Sequence, residues 1–343
     1  MTTTPIVSVV VPTYNRKVRL KRVLDALGQQ TFPVDRFEVV VVSDGSSDGT
    51  DEQLRSTTLP CRLIVERQEN AGPAAARNRG IELATGAIVL FVDDDVVAHP
   101  HLIEQHVARH DLDGEGTVVI GPMLTPDDFT MSPWVQWEQA MLYKQYAAME
   151  RGEWEPTSRQ FYTGNASVAR ERLLAIGGFD VNLRRAEDVE MAFRLGDRGA
   201  RFVFCPDAIG YHYAERSFDA WLNIAEAYGG NDVLFARDHG RPGLIDVYRR
   251  EYLQRPRVLR LLARTAMSHR SAFTAVTRSL LAVRATNRVT RIDKLDRVVL
   301  SLLYGVAYYC GMADVLGGPK VFARVMRGAA PPPAATQAPR VAP

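Results

Sequence analysis

The chain has 343 residues, 46% of them hydrophobic and 24% charged, which supplies enough apolar side chains for a sizeable core and excludes intrinsic disorder as the overall state. Its formal net charge of +2 conceals an asymmetry: residues 1–250 carry 27 Lys and Arg against 36 Asp and Glu, while residues 251–343 carry 15 against 4. Two electrostatically different parts therefore share one polypeptide.

Residues 6–11 and 38–42 are β-branched runs, closed by Pro12 and by Ser43-Asp44-Gly45, and read as buried strands of a parallel sheet. Between them Val18, Leu20, Val23, Leu24 and Leu27 recur at a mostly helical spacing that ends before Pro33. A strand over 61–65, a helix over 74–84 and a strand over 87–92 continue the alternation, the pattern of a doubly wound α/β sheet. Further on, 99–109 reads as helix and 118–120 as strand. The stretch 126–160, with Trp134, Trp137, Tyr143, Tyr146 and Trp154, is aromatic-rich and less regular; it reads either as a lid over a cleft or as a surface packed on the core. Residues 161–168 are expected to be extended, 187–196 helical and 202–204 extended.

The last ninety residues are Arg-rich and helical in pattern, and they include a charge-free run over 298–313. At 1.5 Å per residue that run reaches roughly 24 Å, short of a ~30 Å hydrocarbon layer, so a helix lying in or on a membrane is expected rather than one crossing it. The competing explanation is a helical subdomain with a solvated Arg face. The expected organisation is a main domain over 1–250, made of halves 5–120 and 121–250, a basic helical extension over 251–328, and a disordered Pro/Ala tail over 329–343. Cys61, Cys205 and Cys310 are too far apart for a disulfide framework or a metal knuckle, and the N-terminus lacks the pattern of a secretion signal. A cytoplasmic setting is expected, peripheral on the inner face of the cell membrane if the basic region meets lipid. No nucleic-acid module accompanies the arginines.

Chemistry concentrates where strands end. Asp93-Asp94-Asp95 follows the apolar run ending at Val92; three adjacent carboxylates repel one another, and a hard divalent cation, Mg²⁺ or Mn²⁺, is their natural counter-ion. A solvated acidic turn is the bland alternative. Ser43-Asp44-Gly45-Ser46-Ser47-Asp48-Gly49 also follows a strand. Carboxyl ends of parallel strands converge on one crevice, so Asp44 and the acidic triplet could face one ligand; a turn with a helix N-cap at Ser47 or Asp48 explains the same residues.

Four strings in order, Val9-Val10-Val11-Pro12-Thr13-Tyr14-Asn15-Arg16, the Asp44 turn, Glu69 through Gly80 with Gly72, Arg77 and Asn78, and Asp93-Asp94-Asp95, resemble the nucleotide-sugar-binding half of family 2 inverting glycosyltransferases. The resemblance runs on through Gly177-Gly178-Phe179-Asp180 and Glu187-Asp188, covering roughly 6–215. It implies the GT-A fold: a Rossmann-like, mixed but mainly parallel sheet flanked by helices, here with a C-terminal helical extension. It also implies that Pro12, Tyr14, Asp44, Gly72, Arg77 and Asn78 surround the nucleotide with Asp93 and Asp94. Asp95 and His212 would hold a divalent metal, and Asp188 would be the catalytic base.

Physical chemistry supports such roles separately. A departing nucleoside diphosphate needs a cation, and an attacking hydroxyl needs a carboxylate on the opposite face of the sugar. Ordinary structural explanations compete: acidic residues such as Glu187 and Asp188 stabilise a helix N-terminus, and a histidine between two tyrosines is often a packed core residue. Gly164, Asn165, Asp180 and Glu187 are assigned to the acceptor side, with a tight turn or solvated charge as the alternative. The expected activity is metal-dependent, inverting transfer of a sugar from a UDP-, GDP- or dTDP-linked donor to an acceptor hydroxyl, lipid-linked if the basic region binds membrane, in polysaccharide, glycolipid or other glycoconjugate synthesis. A sugar-nucleotide-forming nucleotidyltransferase and a non-catalytic nucleotide-sugar-binding protein are the alternatives.

Overall fold

The computed structural model describes residues 5–183, 185–238, 240–241, 243–290 and 293–333. Packing divides the chain into two units, Met1–Glu215 and Arg216–Pro343. The division precedes the charge boundary at 250 because the helices from Phe218 onward pack on one another.

The first unit begins with the expected alternation: β1 (Val7–Thr13), α1 (Lys17–Leu27), β2 (Phe37–Asp44), α2 (Thr50–Ser56), β3 (Arg62–Gln68), α3 (Pro73–Leu83) and β4 (Ile88–Val92). Then come β5 (Val96–Ala98), α4 (Leu102–Asp113), β6 (Thr117–Ile120), β7 (Met123–Leu124), α5 (Pro133–Glu150), β8 (Asn165–Ala169), α6 (Arg170–Ala175), α7 (Glu187–Asp197), β9 (Arg201–Phe204) and β10 (Gly210–His212). Seven strands form one sheet in the order β3-β2-β1-β4-β8-β6-β9. All neighbours are parallel except β8, which runs antiparallel to both β4 and β6. The fully buried β1 and β2 explain their unbroken apolar pattern. One charge sits inside: Glu38 of β2 accepts from Ser8, Thr85 and Arg62, which satisfies a carboxylate that would otherwise be costly to bury.

Because strand order reverses between β1 and β4, the carboxyl ends of β1, β2 and β4 open onto one crevice. Helix α3 lies close on the sheet: a Cβ at Gly80 would fall 2.3 Å from Val10 Cγ1. Glycine is what lets this helix deliver Arg77 to the strand ends. A second sheet, β5-β10-β7, has a decisive register. Antiparallel pairing sets His212 opposite Val96, and Tyr213 N–H donates to the Asp95 carbonyl at 2.9 Å.

The aromatic stretch is more regular than expected. Most of it is the 18-residue helix α5, and its aromatics fasten it to the sheet: Tyr146 stacks on Phe204 at 5.4 Å, and Thr125 N–H donates to Tyr143 Oη at 2.8 Å. Packing accounts for Tyr146 and Trp134, whereas Trp154, beyond the helix, is exposed.

The second unit holds α8 (Phe218–Asp238), α9 (Gly243–Gln254), α10 (Arg257–Ala266), α11 (Arg270–Thr290), α12 (Asp293–Leu316) and α13 (Pro319–Val325). Helices α8 and α12 cross with backbones nearly touching. A Cβ on Gly229 would meet the Tyr308 carbonyl, and one on Gly311 the Glu226 carbonyl, each at 1.8 Å. The charge-free run 298–313 lies within α12, whose 24 residues reach about 36 Å. The helix therefore exceeds the length expected from that run alone. It is the one helix among the described residues long and apolar enough to cross a membrane, but 56% of its apolar window is buried inside the protein, which explains its composition without lipid. From residue 334 the expected Pro/Ala tail lies outside the described residues.

Candidate active site

Each loop at the crevice is tied to its neighbour by side chains. Asn15, at φ 53°, accepts the Ser47 N–H at 2.7 Å while its own N–H donates to Ser46 Oγ at 3.1 Å, joining the β1–α1 and β2–α2 loops. Asp48 accepts from the N–H groups of Lys17 and Thr50. Asp44 is buried and accepts from Gln68 Nε2 at 2.7 Å and from the N–H groups of Ala71 and Gly72 at 2.9 Å. Its carboxylate thereby shapes the loop that precedes α3. Gly72, at φ 91°, supplies the turn. Pro12 is buried at the end of β1, whereas Tyr14 is 50% exposed at the mouth.

The acidic triplet splits into three environments. Asp93 Oδ1 accepts from Arg77 Nη2 at 2.8 Å. Asp94 Oδ2 accepts from Thr13 Oγ1 at 2.7 Å; burial, with Asp95 and Asp93 beside it, pushes its carboxyl up to about 7 despite that bond. Asp95 goes the other way. Burial opposes its charge, but His212, Arg16 and Arg19 outweigh burial and hold it below the usual carboxylate range. Its Oδ1 lies 3.5 Å from His212 Nε2 and its Oδ2 lies 3.6 Å from Arg19 Nη1. Arg19 also pairs with Glu215.

Arg77 links this group to the helix that carries Asp188. It is buried, and its Nη1 donates to Glu187 Oε1 at 2.9 Å while Nη2 holds Asp93. Burial works against its charge, yet Asp93, Glu187 and Asp188 raise its pKa above the ordinary value. Asp188 is half-buried and accepts the Val189 N–H at 2.8 Å. Burial first, and Glu187 second, push its carboxyl up to about 7, with Arg77 opposing. The turn before α7 is strained: Ala186 sits at φ 59°, a conformation disfavoured for a residue with a Cβ.

Three candidates turn out to be engaged elsewhere. Asn78 clamps the Phe179 backbone, donating to its carbonyl at 2.9 Å and accepting its N–H at 2.7 Å, so it holds the Gly-Gly-Phe segment against α3. Asn165 is fully buried and bonded to His106 and to the carbonyls of Pro122 and Ala208; it is an internal brace of the sheet. Asp180 accepts from Asn182 within its own turn. Gly164, by contrast, backs the site, since a Cβ there would lie 3.2 Å from Asp93 Oδ2 and 2.5 Å from Met123 Sδ. Thr13 and Asn15 stand in the first of the four strings without a role of their own, and Arg19 is not singled out by the sequence, because each acquires its contact from a partner distant in sequence.

Among the described residues no group of three or more His, Cys, Asp and Glu side chains could hold a metal. Asp95 and His212 place one carboxylate oxygen and one imidazole nitrogen 3.5 Å apart, a pair of types that a borderline divalent ion accepts.

Residues 8–175 match the profile of Glycosyl transferase family 2. Glycosyltransferase AglE of Haloferax volcanii is 33% identical over 214 residues, 62% of this chain and 68% of that protein. Validoxylamine A glucosyltransferase of Streptomyces hygroscopicus subsp. jinggangensis is 31% identical over 220 residues, covering 57% of this chain and only 52% of its own length. Mannosyltransferase PcManGT from Pyrobaculum calidifontis, solved in complex with GDP-Man and Mn²⁺, superposes with a TM-score of 0.59 at 23% identity, over 90% of this chain and 86% of that one; at that identity the likeness is one of fold. The chain belongs to glycosyltransferase family 2: it is a glycosyltransferase with the GT-A fold.

Proposed function

We infer that the protein transfers a sugar, with inversion, from a nucleoside-diphosphate donor to an acceptor hydroxyl, using a divalent metal. The observation that carries this reading is Arg77, whose guanidinium joins Asp93 at the donor strand ends to Glu187 beside Asp188. Acidic groups nearly a hundred residues apart thus share one site. Asp188, pushed up to about 7, is matched to taking a proton from an alcohol near neutral pH. Glu187 holds Arg77, and Arg77 in turn keeps Asp93 toward the ribose side of the donor. Pro12, Tyr14, Asp44 and Gly72 form the base-binding wall, and Gly164 leaves room behind Asp93.

Asp95 and His212 would hold the metal, Mn²⁺ fitting an oxygen–nitrogen pair better than Mg²⁺; when bound, it neutralises charge developing on the leaving diphosphate. The complex of PcManGT with GDP-Man and Mn²⁺ supports this combination. Arg19, already against Asp95, adds a second cation at the same end. The alternatives of a nucleotidyltransferase or a non-catalytic binding protein lose ground to a carboxylate tuned near neutrality opposite the donor strands. The basic composition of residues 251–328 supports peripheral attachment to the inner face of a membrane, with the acceptor on a lipid or glycolipid.

A panel of UDP-, GDP- and dTDP-sugars, scored by thermal stabilisation and donor turnover with Mn²⁺ or with EDTA, tests the reading. One donor should raise Tm and turn over only with the metal, and Asp95→Asn should remove the metal-dependent part of both. Metal-independent turnover, or no stabilisation by any donor, would overturn it.

A further inference from the structure

The second unit holds a cleft of about 310 Å³ that sugar transfer does not use, formed by Arg264 and Met267 at the end of α10 and by Lys320, Phe322, Ala323 and Arg327 on and after α13. The three cations are exposed, and none has a carboxylate partner among the described residues. Four acids of this unit are engaged elsewhere: Glu226 with Arg270, Asp246 with Arg249, Asp296 with Arg284, and Asp232 with Tyr248 and Tyr308. Over residues 216–343 there are 20 Lys and Arg against 9 Asp and Glu, so cations outnumber acids about two to one. Three like charges around one cleft repel one another until an anion joins them. Guanidinium and ammonium groups in that arrangement suit phosphate oxygens.

The source of the phosphate follows from the apolar neighbours. Leu261, one turn before Arg264 on the same face of α10, is 66% exposed, and Val258 is 52% exposed. Met267, Phe322 and Ala323 give the cleft itself an apolar lining. A soluble phosphate would need the cations but not a leucine held out in water, whereas a bilayer offers a phosphate layer with hydrocarbon directly beneath it. We propose that the α10–α13 cleft binds the phosphate of an anionic membrane lipid, with Leu261 and Val258 entering the headgroup region. This deepens the membrane attachment named above and rests on it, while remaining independent of the transfer chemistry.

The test is co-sedimentation of the full chain with phosphatidylcholine vesicles, with and without phosphatidylglycerol, at low and high salt. Binding should require phosphatidylglycerol and weaken as salt rises. The triple variant Arg264→Gln, Lys320→Gln, Arg327→Gln should bind about a hundredfold more weakly, taking roughly a factor of five per cation, and Leu261→Ser should also weaken binding at unchanged Tm. Equal binding to neutral vesicles, or a triple variant that binds like the wild type, overturns the proposal. Displacement by millimolar inorganic phosphate together with a silent Leu261→Ser would assign the cleft to soluble phosphate and overturn it equally. Should the triple variant not fold, the wild type's lipid selectivity and Leu261→Ser decide between the same outcomes. Donor turnover without vesicles, measured on these variants, should be retained, so failure of the lipid site and failure of the transfer reading are told apart.

Discussion

Asp188→Asn separates the charge of the proposed base from its shape. The asparagine oxygen can still accept the Val189 N–H, 2.8 Å away in the wild type, but the negative charge beside Glu187 is gone. In the wild type, burial and then Glu187 push the carboxyl from 3.8 up to about 7, so folding disfavours its ionised form. About three pKa units at 1.36 kcal/mol each set a ceiling of about 4 kcal/mol. Because the side chain is half-buried and its surroundings screen it, about 2 kcal/mol is the working figure. The sign follows from proton linkage. Between the two pKa values the folded state holds the Asp188 proton more tightly than the unfolded chain does, so the Asp188 contribution to stability is lost as pH rises through that window. Wild type and variant should therefore melt together near pH 4. Above pH 7 the variant should be higher by roughly 4–8 °C for a unit of this size, while transfer falls roughly 10²- to 10⁴-fold as expected for a lost general base. Thermal melts across pH 4–8, paired with transfer assays, measure both. A Tm gain of equal size at pH 4 and pH 8, or a variant that keeps most of its transfer rate, refutes the reasoning.

Arg77→Ala leaves Asp93 and Glu187 facing each other without the guanidinium between them, and chemical denaturation should show a loss of about 3–5 kcal/mol; Arg77→Lys should recover only part, since one ammonium cannot reproduce a two-pronged bridge. Burial pushes His106 down to about 4 from 6.5, so its contribution to stability is complete above pH 6.5 and is lost as pH falls toward 4. Asp94, pushed up to about 7, and His110, pushed down to about 4 like His106, also titrate in this range, so the measurement is a difference: in urea melts His106→Gln should lose up to about 3 kcal/mol less than the wild type between pH 6.5 and 4.

The alternating strands and helices of residues 6–92 were legible because buried parallel strands leave unbroken β-branched runs and the intervening helices keep a 3.6-residue spacing. Helix α5 was not, since aromatics at Trp134, Trp137, Tyr143 and Tyr146 suggested a surface cover while the Ala, Gln, Glu and Met between them favour helix. The sheet β5-β10-β7 was also hidden: strands of two or three residues carry no periodicity, and their pairing exists only after the chain has returned from afar.

The sequence by itself determined the acidic residues at the strand ends, the glycines that permit close turns, and the Gly-Gly-Phe-Asp and Glu-Asp segments through which the resemblance to the family ran on. Only tertiary structure decided which of those side chains face one another. The β5–β10 register carries His212 to Asp95, and Gly80 lets α3 lie close enough for Arg77 to span Asp93 and Glu187. The same folding turned Asn78 and Asn165 inward as braces. The physical reason is that a residue's type sets what it can bond, whereas burial and the arrival of a distant partner set its charge state and its direction.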